Sequence, residues 1–302
     1  MRNPINVLKS LEEKACVSNY RYERLYRNLY NPEFYLLAYA NVAKSQGSMT
    51  AGADGQTLEG MSMSRIEGII ISMKDKSYHP QPARRKYIPK KNGKLRPLGV
   101  PSADDKIVQE IVRMILEAIY EPTFENCSHG FRPHRSCHTA LMQVKREFTG
   151  AKWIVEGDIH ACFDNFDHHV LIDLLRRRIN DEAFLELIWK FLKAGYMEQW
   201  EYHCTYSGTP QGSGISPVCA NIYLTELDRF ILEYKKRFDR ETVTRRKTSK
   251  EYEKAARRYR KARRAMTENA VHTPEMIREF KESRKEKIAQ NYNDPFDVNY
   301  KK

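Results

Sequence analysis

Hydrophobic residues fall at helical spacing over most of this chain, and the exceptions are short. Val7, Leu8, Leu11 and Ala15 share one face and predict a helix over residues 1 to about 30, opening at Asn3-Pro4. A second helix is predicted from Pro32 through Phe34, Leu37, Ala38 and Val42. It closes in a loop, Gly47 to Gly55, where Gly52 and Gly55 can take positive φ without steric cost. Residues 64–75 read as helix again. From Gln81 to Pro101 the texture changes to two extended runs around Asn92-Gly93, a strong hairpin signal. Ile107, Ile111, Met114 and Ile115 mark an amphipathic helix over 103–120, and Ser136 can cap another running to about Phe148. Trp153-Ile154-Val155-Glu156-Gly157 reads as a short apolar strand, followed by helices Val170 to Ile179 and Glu182 to Lys193. Tyr196 to Tyr206 reads as paired strands. Ser216-Pro217 then opens a long helix with Val218, Ile222, Leu227, Phe230 and Ile231 on one face. Beyond it, the polar stretch to Lys287 has helical propensity but little apolar periodicity. The fold class expected is α+β, mostly helical with a small antiparallel sheet.

Composition narrows the setting. The 302 residues are 41% hydrophobic, enough for one large domain or two lobes with a shared core. Apolar runs such as Ile69-Ile70-Ile71 fall far short of the roughly 20 residues that span a bilayer, so no membrane role is expected. No apolar secretory core follows Met1, and a soluble protein of the bacterial cytoplasm or an organelle matrix is expected. The six cysteines are scattered without a Cys-x-x-Cys pair, which argues against a zinc site or a disulfide framework. Net charge says more. At +13, the chain should attract polyanions, and nucleic acid is the leading partner class. From Ile231 to Lys302 there are 22 Lys and Arg against 12 Asp and Glu, so +10 of that charge sits in the last quarter.

Three segments carry candidate chemistry. Gly157-Asp158-Ile159-His160-Ala161-Cys162-Phe163-Asp164 places a carboxylate, Asp158, at the exit of the expected strand, where a hard divalent cation would find an oxygen ligand. Asp164, Asp167 and Asp173 read as surface or helix-capping residues. Ser207-Gly208-Thr209-Pro210-Gln211-Gly212-Ser213-Gly214 sets three glycines before a helix, either an anion-binding loop or an ordinary tight turn. Lys90-Lys91-Asn92-Gly93-Lys94-Leu95-Arg96 puts cations on the hairpin tip, either a phosphate clamp or a solvated basic turn.

In this order the three segments resemble the reverse transcriptase family, whose fingers, palm motif A and palm motif B follow one another in the same way. Arg96-Pro97-Leu98-Gly99-Val100-Pro101, Gly130-Phe131-Arg132-Pro133-His134-Arg135-Ser136 and Phe163-Asp164-Asn165-Phe166-Asp167-His168 look like the group II intron-encoded branch in particular. The resemblance implies a right-hand polymerase, with an N-terminal extension and first fingers helices over 1–80, fingers with the basic hairpin over 81–150, palm over 151–233 and a basic helical insertion over 234–302. It implies a catalytic, metal-binding role for Asp158, with the Ile159 carbonyl available to a second Mg²⁺. Phe163 would lie under the sugar of the incoming dNTP and exclude a 2′-hydroxyl. Gln211 and Gly212 would contact that nucleotide, Lys90 and Arg96 its phosphates, and Arg132 and Arg135 the template backbone.

One departure accompanies the match. The family's Tyr-x-Asp-Asp does not occur, and the sole Asp-Asp pair, Asp104-Asp105, opens a helix and reads as an N-terminal cap. The expectation is therefore a fragment without thumb and without its remaining catalytic carboxylates, inactive alone. Its partners would be an intron RNA template, a DNA primer and dNTPs. A maturase role, binding intron RNA for splicing, is the companion function. An RNA-binding splicing cofactor without polymerase activity, or a retron or diversity-generating enzyme, are the alternatives. Residues 235–290 would bind RNA, form a solvated helical hairpin or contact a second copy in a homodimer.

Overall fold

Helix starts are fixed by side chains that accept the first free amides. In α1 (Pro4–Ala15) the Asn3 side chain accepts from the Ile5 amide, and in α2 (Pro32–Ala43) Asn31 does the same for Glu33. Ser62 caps α3 (Met63–Lys74), Ser102 caps α4 (Ala103–Tyr120), Asp167 caps α6 (His168–Arg176) and Asp181 caps α7 (Glu182–Lys193). Helix α5 spans Cys137–Glu147 and α8 spans Ser216–Arg240. This computed structural model describes residues 2–17, 19–45, 47–89, 93–149, 151, 154–208, 212–240, 248–269 and 271–293. The chain divides into two units, 1–145 with 157–231, and 146–156 with 232–302.

The first unit is built around α4. Ile107, Val108, Ile111, Val112, Ile115, Leu116 and Ile119 are all fully buried. So broad an apolar face must be covered, and α1 and α2 both pack on α4. Tyr22, Leu25, Leu29, Phe34, Tyr35, Leu171, Phe184 and Ile188 join the same core. Polar residues on α4 are partnered. Asp105 accepts from the Tyr78 hydroxyl (2.5 Å), the Gln81 amide (2.9 Å) and the Ser102 hydroxyl (2.7 Å), and burial still pushes its carboxyl up to about 6. Lys106 donates to the carbonyls of Gly47, Ser48 and Thr50 and so closes the Gly-rich loop onto α4, burial holding its ammonium below the usual lysine range.

The sheet has four strands, β1 (Ala83–Pro89), β2 (Leu95–Val100), β3 (Tyr196–Glu198) and β4 (Glu201–His203), in the order β2-β1-β3-β4. Both hairpins were expected. Their union was not, because β1 pairs with β3 in parallel through Ala83 and Tyr196, making one mixed sheet rather than a separate antiparallel one. Arg85 seals this junction, its guanidinium 3.7 Å over the Tyr196 ring, which itself stacks on His203.

Two expectations change. The first helix ends at Ala15 rather than near 30. Asn19 and Arg24 take left-handed backbone, and Tyr22 is captured instead by a bridge to Ile179, with a 3-10 turn over Tyr26–Tyr30 following. The expected strand at 153–157 is absent over its described part: residues 154–159 have no regular structure, and Ile154 and Val155 are 71% and 96% exposed. An apolar run becomes a strand only where a neighbouring strand takes its backbone groups, and none among the described residues does.

The second unit holds α9 (Lys250–Glu268) and α10 (Pro274–Ala289), packed against each other as a hairpin. Its ends are closed where Thr248 pairs with Asn293 and Ser249 donates to the Tyr292 carbonyl at 2.9 Å.

Candidate active site

The segment carrying Asp158 runs as exposed backbone and then tightens. Ala161 takes left-handed φ of 48°, and a short 3-10 turn, Cys162–Asp164, follows. The Asn165 side chain donates to the His160 carbonyl at 3.0 Å and holds the turn closed. Phe163 emerges half-buried, its ring edge-on to Phe131 (6.1 Å) and to Phe166 (6.0 Å). Phe166 is buried and rests 4.7 Å from Tyr223 of α8. Phe163 is therefore braced from two sides, and one brace, Phe131, is itself in left-handed conformation on a loop fastened by Asn221 to the Gly130 carbonyl. Backbone strain of this kind persists only where surrounding contacts overdetermine it.

The glycine loop is locked onto this turn. Ser207 donates through its hydroxyl to the Asp164 carbonyl (2.9 Å), and His168 meets the Gly208 carbonyl through Nε2 at 2.6 Å. His168 is buried, and burial lowers its pKa, so the imidazole is neutral with its hydrogen on Nε2. Gly208 has φ of +78°, and a Cβ there would sit 2.5 Å from the Phe163 carbonyl oxygen. On the loop's far side Gly212 has φ of +112°, and its Cβ would sit 2.5 Å from the carbonyl oxygen of Gly99 on β2. Just beyond, the Ser213 hydroxyl and the Gly214 amide both donate to Oε1 of Gln109 on α4. The Phe163 turn thus meets the glycine loop at Gly208, and β2 and α4 meet it at Gly212 to Gly214.

Among the expected site residues, Asp158, Ile159, Phe163 and Gly212 lie on these segments. Arg96 is exposed on β2, opposite Ile88. Lys90 and Gln211 lie outside the described residues. Arg135 is half-buried, and its guanidinium donates to the Asn126 carbonyl and side-chain oxygen on the same loop. Arg132 differs from expectation. Its side chain is 5% exposed, paired with Glu121 at 2.9 Å and donating to the carbonyls of Glu125 and Ser128, with Phe124 under the guanidinium. A guanidinium so enclosed fixes its own loop and is not free for a template phosphate. Asp167 caps α6, as read from sequence, but the cap of α4 is Ser102 rather than the Asp104-Asp105 pair: Asp104 pairs with Arg65, and Asp105 is buried against Tyr78, Gln81 and Ser102. Phe131, His168 and Gln109 were missed. Phe131 stood inside a quoted motif, but nothing in the sequence marked it as Phe163's neighbour.

Asp158 and the Ile159 carbonyl are hard oxygen donors suited to a divalent cation. Among the described residues no three Asp, Glu, His or Cys side chains converge on one point. The described residues therefore do not complete a metal centre, although Asp158 is close enough to Cys162 to help burial raise that thiol's pKa.

The sequence model described as "Reverse transcriptase (RNA-dependent DNA polymerase)" matches residues 88–245, more than half of the chain. The chain belongs to the reverse transcriptase family. That span contains every expected site residue, from Lys90 to Gly212. The group II intron-encoded protein LtrA of Lactococcus lactis is 57% identical over 225 residues, 74% of this chain and 38% of LtrA. Protein YkfC of Escherichia coli is 40% identical over 222 residues, 70% of this chain and 58% of YkfC. This reverse transcriptase chain thus spans less than two thirds of either relative. Among solved structures, a "Partial Cas6-RT-Cas1--Cas2 complex" aligns at 22% identity and a TM-score of 0.46, covering 69% of this chain and 35% of that one.

Proposed function

We propose that this chain forms the fingers and palm of a group II intron reverse transcriptase, which copies RNA into DNA and binds intron RNA as a maturase. The contacts that tie Gly208 to the Phe163 turn and Gly212 to the β2 strand carry the reading. Similarity to LtrA over 74% of the chain supports the intron-encoded branch.

Each residue then has a physical task. Phe163 discriminates by volume. Edge contacts with Phe131 and Phe166 orient the ring, and its bulk would exclude a 2′-hydroxyl. Gly212 lets the loop come within contact of β2, and Lys90, Arg96 and Gln211 supply the donors a triphosphate needs. Arg135, half-buried and held through its guanidinium by Asn126 on its own loop, is the cation left for a template backbone. Mg²⁺ is the cation this reading implies, and these 302 residues offer it Asp158 and the Ile159 carbonyl.

Primer extension and RNA binding test the reading together. The 302-residue chain should bind structured RNA without adding nucleotides, whereas the protein extended through a Tyr-x-Asp-Asp segment should add them. Asp158→Asn in that longer protein should abolish addition and leave RNA affinity unchanged. Robust nucleotide addition by the 302 residues alone would show that the active site lies elsewhere.

A further inference from the structure

Helix α9 carries its charge in a geometric order that nucleotide addition does not use. Between Glu253 and Glu268 lie seven Lys and Arg and no acidic residue. The face turned to α10 holds Tyr252, Ala255, Tyr259 and Ala262, at alternating steps of three and four residues. Both alanines are buried, Tyr259 packs on Phe280, and the Lys287 ammonium lies over both tyrosine rings. Lys250, Lys254, Arg257, Lys261 and Arg264 follow the same stepping on the opposite face, forming a straight row of five exposed cations about 21 Å long. Arg257 and Arg264 lean on Glu253 (3.7 Å) and Glu268 (2.6 Å) in exposed pairs that open readily for a phosphate. Lys250, Lys254 and Lys261 have no acidic partner among the described residues.

We propose that this outer face of α9 docks the phosphate backbone of double-helical RNA. A rigid row of cations matches a continuous line of phosphates and reads no base edges. Single-stranded binders add aromatic platforms on which bases stack, and the two aromatic side chains of α9 are both turned toward α10. An interfacial membrane helix needs large apolar side chains beside its cations, and this face has none. The choice of RNA over other polyanions rests on the reverse transcriptase reading above.

The test replaces Lys254, Arg257, Lys261 and Arg264 with Gln, which keeps helix propensity while removing four charges. Circular dichroism checks that the helices remain. Binding to a blunt RNA duplex is measured against salt, beside a control with Arg278→Gln, Lys281→Gln, Arg284→Gln and Lys285→Gln on α10. The α9 variant should lose about 10- to 100-fold in affinity near 0.1 M salt and about three units of slope in log K against log[salt]. The α10 control and a single-stranded RNA probe should show a much smaller change. An unchanged slope in the α9 variant, or an equal loss in the control, would overturn this inference alone. Failure of the unaltered chain to bind RNA at all would overturn both it and the reading on which it rests.

Discussion

The amide of Gly208 donates to the carbonyl of Phe166 at 2.7 Å, tying the glycine loop to the turn that carries Phe163. Gly208 can do this because it alone tolerates φ of +78° with Phe163 and Asp164 backbone atoms within 2.6 Å of where a Cβ would stand. Gly208→Ala should therefore cost about 2 kcal/mol or more of stability, from strained backbone plus the clash. Urea denaturation measures it, and a cost within 0.5 kcal/mol, the range of an ordinary surface change, would mean the loop relaxes away from the turn.

Phe163→Val should widen sugar selection. In the protein extended through a Tyr-x-Asp-Asp segment, discrimination against ribonucleotides should fall by about 10- to 100-fold while deoxynucleotide addition persists. Single-nucleotide incorporation with each sugar reads this directly. Intact selectivity would detach Phe163 from the nucleotide and weaken the assignment of Asp158 with it.

Arg132 and Arg135 should separate cleanly. Arg132→Ala removes the partner of a largely enclosed Glu121 and the donor for two carbonyls, so it should destabilise the fold by about 3 kcal/mol. Arg135→Ala should leave stability nearly unchanged and lower the salt dependence of RNA binding. Thermal unfolding and salt-dependent affinity, measured on both variants, would contradict this assignment if the two patterns were exchanged.

Asp105 gives a pH signature. Folding raises its pKa from 3.8 to about 6, so the folded state holds this proton more tightly than the unfolded chain. The corresponding stabilisation is complete below about pH 4 and is lost as pH rises through 6, an effect of about 3 kcal/mol. Asp105→Asn cannot ionise and should lack that dependence. Its stability relative to wild type should therefore rise by roughly that amount between pH 4 and pH 8, measured by denaturant midpoints. A difference flat with pH would show that the carboxyl stays ionised throughout.

Local signals made much of the fold legible. The helices predicted over 103–120 and from Glu182 to Lys193 stand in the structure at Ala103–Tyr120 and Glu182–Lys193. What escaped depends on partners remote in sequence. Gln109 is a buried polar residue on an amphipathic helix, and only the folded chain brings Ser213 and Gly214 to it. Likewise, the α9 seam is built from alanine and tyrosine, too weakly apolar to register as a periodic signal, yet narrow enough for close helix approach. In the candidate site, the motif residues were visible as types in an order, whereas the braces that position them, Phe131 and His168, were visible only as contacts.

The capture of Tyr22 carries a consequence for synthesis on the ribosome. Its amide donates to the Arg178 carbonyl and its own carbonyl accepts from Asn180, both at 2.7 Å. Tyr22 thus cannot reach its buried place until α6 has emerged, nor can the Tyr26 amide find the Asp181 side chain before then. Helix α4 and the β1–β2 hairpin can form locally long before that, since their bonds join near neighbours. The segment around Tyr22 must then wait without its final partners for most of the first unit's translation, the interval in which a chaperone or an early misassembly would act on this chain.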